Sequence, residues 1–282
     1  MNATCSFVLL ATALFTALSA RAADTPTQPT PGVEMLFSNV IARATSEKKR
    51  DVASQYTYTR TKATEELDDK GRVKELQEKT HQFIQINGRP FARLVAVNGK
   101  PLAGKELKAE EERERKARES TTAAAPAKPA AKATAPAAPK KDYSLTPEMF
   151  ERFLFTVTGL EKVNGRDAWA ITFAPRSKDL PIKQLKDRVV NKIAGKIWID
   201  SEENELARVE IGLTDSVSLV GGIVGTLRKF DFALQRIRAE GGAWFTGRSD
   251  LTVDGREVVL TRRLRFREET SDIKKVPAVE SP

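Results

Sequence analysis

Apolar and polar residues alternate along much of the second half of the chain. In the stretch GKIWIDSEENELARVEI, residues 195–211, two alternating runs flank the polar turn 201–204. Alternation at every second position predicts β-strands with one apolar and one polar face. The pattern recurs at 168–175, 227–238 and 258–267, and with Tyr- and Thr-rich runs nearer the start of the chain the sequence predicts about nine or ten strands.

Residue patterns typical of turns and helices lie between these predicted strands. Asn-Gly pairs at 87–88, 98–99 and 164–165 predict hairpins, because type I′ turns need positive φ at both central positions, and Asp254-Gly255 predicts the last tight turn. Apolar residues at helical spacing predict an amphipathic helix over 33–47. The sequence also predicts a short helix over 146–153, a charged helix over 105–119, and a helix or an irregular crossover over 181–194.

Strands with one apolar face are typical of antiparallel sheets. We therefore expect an α+β, mainly β fold: a large curved antiparallel sheet, an open half-barrel, whose concave apolar face is covered by helices. A single domain is expected over 33–272, and residues 101–141, a charged helix and an Ala/Pro/Lys-rich linker, form a surface insert. A two-domain split is the alternative. Residues 273–282 are expected to be a flexible tail.

The N-terminal segment predicts export. Residues 1–22 contain an apolar run from Phe7 to Leu18 and small residues that fit cleavage after Ala22 or Ala23, with an uncleaved anchor as the alternative. Residues 23–32 are a Pro/Thr-rich spacer. Cys5, the only cysteine, precedes the apolar run, so we expect neither a lipid anchor nor disulfides. The expected location is the periplasm, peripheral to the outer membrane.

The net charge of the chain indicates which partners to expect. The 282 residues include 47 Lys and Arg against 38 Asp and Glu, a formal charge of +9. Such a balance favours anionic surfaces, and for an exported protein these are lipid head groups and envelope polymers. Nucleic acid is not expected, because no basic motif is interleaved with aromatic residues. The lysines of the insert would hold an anionic polymer or, alternatively, keep a spacer solvated.

One hairpin and the order of elements resemble a known superfamily. The motif G-x-I-W-I-D at 195–200, a polar turn and Arg208-Val209-Glu210 follow a strand that closes with Phe173-Ala174-Pro175. This layout resembles the outer-membrane lipoprotein-sorting superfamily, the LolA/LolB-like lipoprotein carriers. The resemblance implies an open half-barrel whose apolar cavity receives acyl chains, and binding and release without covalent chemistry. The insert at 101–141 departs from the compact carriers.

We therefore expect a lipid- or lipoprotein-binding protein, not an enzyme, that acts as a monomer without cofactor or metal. Expected partners are lipid acyl chains or a lipoprotein, and an anionic membrane surface. The alternative is an envelope interaction module, in which the same apolar residues are a filled core and the basic linker binds an anionic polymer or a protein. The predicted cavity lining is Leu36, Phe37, Val40, Trp169, Ile171, Phe173, Ile197, Ile199, Val209, Ile211, Phe230, Phe232, Leu234, Leu264 and Phe266.

Three further features have a functional and a structural interpretation. The Gly-rich apolar stretch 217–225 predicts a membrane or client contact, or else a buried connection with a glycine bend. An arginine stripe predicts contacts with phosphate head groups, or else a solvated face balanced by carboxylates. A hydrolase would need His81, the only histidine, or paired carboxylates in a cleft; otherwise His81 is a strand residue and the acidic pairs 68–69 and 202–203 are turns. The contact residues are Leu219, Val220, Ile223 and Val224, and the stripe is Arg263, Arg265 and Arg267.

Overall fold

The structure, a computed structural model, describes residues 30–50, 52–120, 147–177, 179–219, 225–257 and 260–277. Its helices are α1 (Val33–Arg50), α2 (Gly104–Glu119), α3 (Pro147–Arg152) and α4 (Leu185–Val190), and a 3₁₀ turn spans Val52–Gln55. Its strands are β1 (Tyr56–Leu67), β2 (Val73–Ile86), β3 (Arg89–Val97), β4 (Lys100–Pro101), β5 (Phe153–Val163), β6 (Arg166–Pro175), β7 (Ile193–Asp200), β8 (Leu206–Leu213), β9 (Val217–Leu219), β10 (Gly225–Arg238), β11 (Trp244–Glu257) and β12 (Leu260–Lys275).

Within these segments the strands form one open, antiparallel sheet of twelve strands. The order is β4-β3-β2-β1-β12-β11-β10-β8-β7-β6-β5, and the short β9 pairs with β10. The expected fold class, α+β and mainly β with one large antiparallel sheet, is confirmed. The first and last strands, β1 and β12, are neighbours in the middle of the sheet.

Helix α1 lies on one face of the sheet, which we call the inner face. Its apolar stripe, Val33, Leu36, Phe37 and Val40, packs on β5 to β8. The ring of Phe37 meets that of Phe155 edge-on at 5.2 Å between centroids. Close packing also requires a glycine in β7, because a Cβ at Gly195 would lie 2.0 Å from the carbonyl oxygen of Glu210 and 2.9 Å from the ring of Phe173.

Helix α2 covers the edge of the sheet at β3. The Leu94 N–H donates to Glu110 Oε1 (2.9 Å), and Arg113 donates to the carbonyl oxygen of Ala92. Asn87 Nδ2 donates to the carbonyl oxygen of Arg118 (2.9 Å) at the end of the helix. An exposed strand edge invites pairing with another chain, and α2 occupies the hydrogen-bonding groups through which such pairing would begin.

Two boundaries differ from the sequence prediction. The turn expected at Asp254-Gly255 is wrong, because both residues lie inside β11, which continues to Glu257. The Asp254 carboxylate, read as a turn signal, instead accepts hydrogen bonds from Arg228 (2.8 Å) and Arg263 (2.7 Å) on the neighbouring strands. Strand β12 ends at Lys275, so residues 273–275, which were expected to begin a flexible tail, belong to the sheet. The three predicted Asn-Gly turns are confirmed, with φ of 50–51° at each asparagine.

Candidate functional site

Most of the predicted cavity lining belongs to, or packs against, a core between α1 and the sheet. Phe37 is 2% exposed, and Ile171 and Ile199 are 0% exposed. The space between α1 and strands β5 to β8 is therefore filled by the protein's own side chains. The predicted lining residues that belong to this cluster or pack against it are Leu36, Phe37, Val40, Trp169, Ile171, Phe173, Ile197, Ile199, Val209, Ile211, Phe232 and Leu234.

Beyond the edge of α1, the same inner face continues as a half-buried apolar surface on β10, β11 and β12. One cross-strand row is Phe232, Leu251 and Phe266, and the next is Phe230, Val253 and Leu264. Directly opposed residues in an antiparallel sheet share a face, so both rows lie on the side of α1. All the members are half-buried, and we call them the apolar band.

The apolar band joins the covered core without a break. Phe232 pairs with Ile211 on β8, and both pack against the core cluster beneath α1. The row then continues through Gly195 to Phe173. A ligand on the apolar band would therefore contact the side of the core that α1 leaves uncovered.

Two members of the apolar band, Leu251 and Val253, are absent from the predicted lining. The alternation Leu251-Thr252-Val253 was present in the sequence, but it is short and is followed by Asp254-Gly255, which read as a turn. Strand β11 places these two side chains between the predicted residues of β10 and β12. The sequence thus predicted the outer strands of the band and missed the central one.

Charged side chains border the apolar band on β1 and β12. Glu66 lies opposite Leu264, and Thr64 lies opposite Phe266. Further along β12, Glu268 forms ion pairs with Arg60 (3.2 Å) and Lys62 (2.8 Å). The inner face therefore offers an apolar surface with a polar border, an arrangement that suits a ligand with an apolar chain and a polar end.

Polar contacts fasten the second half of α1 to the β7–β8 turn. Arg43 donates from Nε to Glu205 Oε2 (2.7 Å) and from Nη2 to Glu203 Oε2 (3.1 Å). Glu205 is 4% exposed and also pairs with Arg236 on β10. We call Arg43, Glu203 and Glu205 the α1 latch, because they join the covering helix to the sheet.

Glu203 is not the solvated turn residue that the sequence predicted. Besides Arg43, its carboxylate accepts hydrogen bonds from Trp244 Nε1 (2.8 Å) and Arg238 Nε (2.6 Å). Burial raises the pKa of Glu203, but these two hydrogen bonds and the nearby arginine charges outweigh it and hold the pKa below its usual value. Glu203 is therefore charged at neutral pH and joins three elements.

Asp200, at the end of the W-I-D motif, holds the turn that presents the latch. It is 1% exposed and accepts a forked pair of hydrogen bonds from Arg166, at 2.6 and 2.9 Å. Its Oδ1 also accepts the N–H of Glu202 (3.2 Å) and of Glu203 (2.8 Å). Burial raises the pKa of Asp200, and the hydrogen bonds with the Arg166 charge lower it further than burial raises it.

The arginine stripe lies on the opposite, outer face and faces carboxylates. Arg263 pairs with Asp254 (2.7 Å), and Arg265 pairs with Glu65 (3.1 Å), as does Arg267. These pairs fit the interpretation of a face balanced by carboxylates, and head-group binding there stays a prediction. The predicted contact residues Val220, Ile223 and Val224 and the side chain of Leu219 lie outside the described residues.

The remaining candidates for chemistry lie on different elements, His81 on a strand and the acidic pairs in turns. His81 lies in β2, where burial and the Arg113 charge lower its pKa. Asp68 accepts the N–H groups of Lys70 and Arg72 (both 2.9 Å), which is turn chemistry. Over the part of the chain that the structure describes, no three His, Cys, Asp or Glu residues come together as a metal site would require.

An open groove of about 440 Å³ lies on the outer face, across β7, β8, β10 and β11. Its polar lining includes Glu210, Asp231 and Asp250. Asp231 pairs with Lys229 (3.0 Å) and Asp250 with Arg248 (2.7 Å), and Glu210 pairs with Arg208. Charged side chains thus stand around this groove, whereas the members of the apolar band are all apolar. Among the helices of the described segments, none combines the length and the apolar character needed to cross a membrane.

No protein-family model and no curated protein matches the chain. Among solved structures, the chain is similar to an outer membrane lipoprotein-sorting protein domain from Vibrio parahaemolyticus, with 12% identity over 87% of this chain and 95% of that one, at a TM-score of 0.33. A DUF1329 family protein from Desulfovibrio piger matches with 9% identity over 90% and 96% of the two chains (TM-score 0.33). A LolA superfamily protein from Nitrosomonas europaea matches with 8% identity over 89% and 96% (TM-score 0.25). The name of the Nitrosomonas europaea protein is that of the superfamily that the sequence resembles.

Proposed function

We propose that the protein binds acyl chains of a lipid or lipoprotein on the apolar band and serves as a periplasmic carrier in outer-membrane lipoprotein sorting. The observation that supports this proposal is the unbroken inner face. It passes from a core covered by α1 to half-buried phenylalanine, leucine and valine side chains. Apolar surface of this kind, bordered by polar residues, is typical of an interaction site.

An acyl chain lying across the apolar band would cross β10, β11 and β12. Adjacent strands are about 4.8 Å apart, so the band spans about 10 Å, and contact with Ile211 on β8 extends it by one strand. Each methylene removed from water contributes up to about 0.8 kcal/mol. The border at Glu66, Lys62 and Arg60 would keep the polar end of the ligand in water or hydrogen-bonded.

Binding and release on this surface need no covalent step. Helix α1 packs through Leu36 and Phe37 and is fastened by the α1 latch, so a small displacement of the helix would extend the apolar surface toward Ile211 and Phe173. Closure of α1 over a bound chain would shield it from water. An acceptor that competes for the acyl chain would empty the site.

A second candidate function is an envelope interaction module without a lipid ligand. The filled space beneath α1, where Ile171 and Ile199 are fully buried, favours this alternative. Its partner would be an anionic polymer or a protein bound by the basic linker, most of which lies outside the described residues.

Native mass spectrometry of protein purified from the periplasm without detergent distinguishes the two candidates. We expect a co-purifying lipid or lipopeptide, which Leu251→Asn removes because it places an amide in the centre of the apolar band. Leu76→Asn is the matched control: Leu76 is 36% exposed and pairs with Glu65 on the outer face. A protein that stays free of lipid after incubation with envelope lipids would contradict the carrier proposal and favour the interaction module.

A further inference from the structure

A short turn that leads into the first residues of α4 exposes two large apolar side chains. Ile182 is 54% exposed and Leu185 is 50% exposed. Single exposed apolar residues are ordinary on protein surfaces. Here, however, two lie three positions apart on one turn, and Pro181, Lys183, Gln184 and Lys186 around them are also exposed.

The turn is held in place by buried polar groups. Asp187, 4% exposed, accepts the N–H groups of Lys183 (2.8 Å) and Gln184 (2.9 Å). Arg152, 7% exposed, lies 3.5 Å from the Asp187 carboxylate and donates to Asn191 Oδ1 (2.6 Å). Asn191 in turn donates to the carbonyl oxygen of Leu180 (3.0 Å). These contacts fix the backbone of the turn, and the fixed backbone keeps Ile182 and Leu185 exposed.

Such a buried ion pair contributes little net stability, because removing two charges from water offsets most of their attraction. Its effect here is geometric. It holds Ile182 and Leu185 outward in a defined conformation, so little conformational entropy is lost when a partner covers them.

The charge around the turn indicates the partner. Residues 176–188 contain Arg176, Lys178, Lys183, Lys186 and Arg188 against Asp179 and Asp187. Asp187 is neutralised by Arg152, which leaves the segment strongly positive. Two apolar side chains between lysines fit a surface that has anionic groups outside and apolar groups beneath them. An anionic lipid bilayer, with head groups over acyl chains, is such a surface.

We propose that this turn, residues 180–186, docks the protein on an anionic lipid surface. Ile182 and Leu185 enter the boundary between head groups and acyl chains, while Lys183 and Lys186 contact lipid phosphates. The site lies apart from the apolar band, on a different connection of the sheet. It also differs from the contact that the sequence predicted at 219–224.

Co-sedimentation with vesicles tests the proposal, using protein purified from the periplasm. We expect binding to vesicles of equal parts phosphatidylglycerol and phosphatidylcholine, and much weaker binding to phosphatidylcholine alone. The double variant Lys183→Gln, Lys186→Gln should weaken binding to the anionic vesicles by about fivefold for each charge removed. The variant Ile182→Asn, Leu185→Asn should lower binding at least tenfold.

Matched controls test whether changing any exposed apolar or charged residue elsewhere has the same effect on vesicle binding. Val73→Asn changes an apolar residue that is 51% exposed on β2, and Lys108→Gln removes an exposed charge from α2; neither should alter binding. The changed side chains are all exposed, so unfolding midpoints should match the wild type. Equal vesicle binding by the wild type and the apolar double variant would overturn the proposal. So would wild-type protein that does not bind anionic vesicles but binds a protein partner. Neither result depends on acyl binding, which Leu251→Asn tests separately.

Discussion

The α1 latch makes a quantitative prediction about the covering helix. Arg43→Ala removes the hydrogen bonds from Arg43 to Glu203 and Glu205 and leaves Glu205, whose side chain is 5% exposed, with Arg236 as a remaining partner. Deleting one partner of a fully buried pair costs about 3–5 kcal/mol. Because Arg43 is 24% exposed and Glu205 keeps Arg236, we expect a smaller loss of about 2 kcal/mol.

This loss should appear first as local opening of α1. Hydrogen exchange of the helix amides over Val33–Arg50 should accelerate by about thirtyfold, which corresponds to about 2 kcal/mol, while amides of β6 and β7 change less. The melting temperature should fall by about 4–8 °C for a domain of this size.

Arg115→Ala on α2 is the matched control, because Arg115 pairs with Glu112 and Glu119 at an exposed site where its side chain is 56% exposed. Exposed pairs of this kind are worth less than about 1 kcal/mol. If Arg43→Ala and Arg115→Ala changed stability equally, or if α1 exchanged no faster in Arg43→Ala, the latch would not fasten the helix.

Two further predictions concern the hairpin at 195–211. Gly195→Ala should destabilise the protein by about 3 kcal/mol, since its Cβ would lie 2.0 Å from the Glu210 carbonyl oxygen; a denaturant midpoint equal to that of the wild type would be inconsistent with this packing. The folded pKa of Asp200 is lowered, so its contribution to stability is complete above its unfolded pKa of about 3.9 and is lost as the pH falls through the folded pKa. Asp200→Asn should therefore lose less stability than the wild type as the pH falls below about 4, which denaturation midpoints measured against pH would show.

Much of the sheet could be predicted because its strands are locally encoded. The alternation at 195–211 and the Asn-Gly turns depend on neighbouring residues alone, and the structure confirms both. The end of β11 was placed too early, at Asp254-Gly255, because the register of this strand depends on distant partners. Asp254 is a strand residue here because Arg228 and Arg263 lie beside it, and neither is adjacent in sequence.

The candidate site was harder to predict for the same reason. Alternation shows which residues share a face of the sheet, but it does not show how far the covering helix extends over that face. Phe37 fills the space above β5 to β8, whereas Phe230 and Leu264 lie beyond the helix and stay half-buried. The sequence did not show that the turn residue Glu203 pairs with α1, because its partner Arg43 is 160 positions away.

Photo-crosslinking tests the central claim, acyl binding on the apolar band, most directly. A fatty acid with a diazirine at its tail would be bound to the purified protein, irradiated, and located by peptide mass spectrometry. We predict adducts on β10, β11 and β12, at peptides that contain Phe230, Leu251 or Leu264, and their loss in Leu251→Asn but not in Leu76→Asn. Adducts confined to the outer face, or an adduct pattern that Leu251→Asn leaves unchanged, would contradict it.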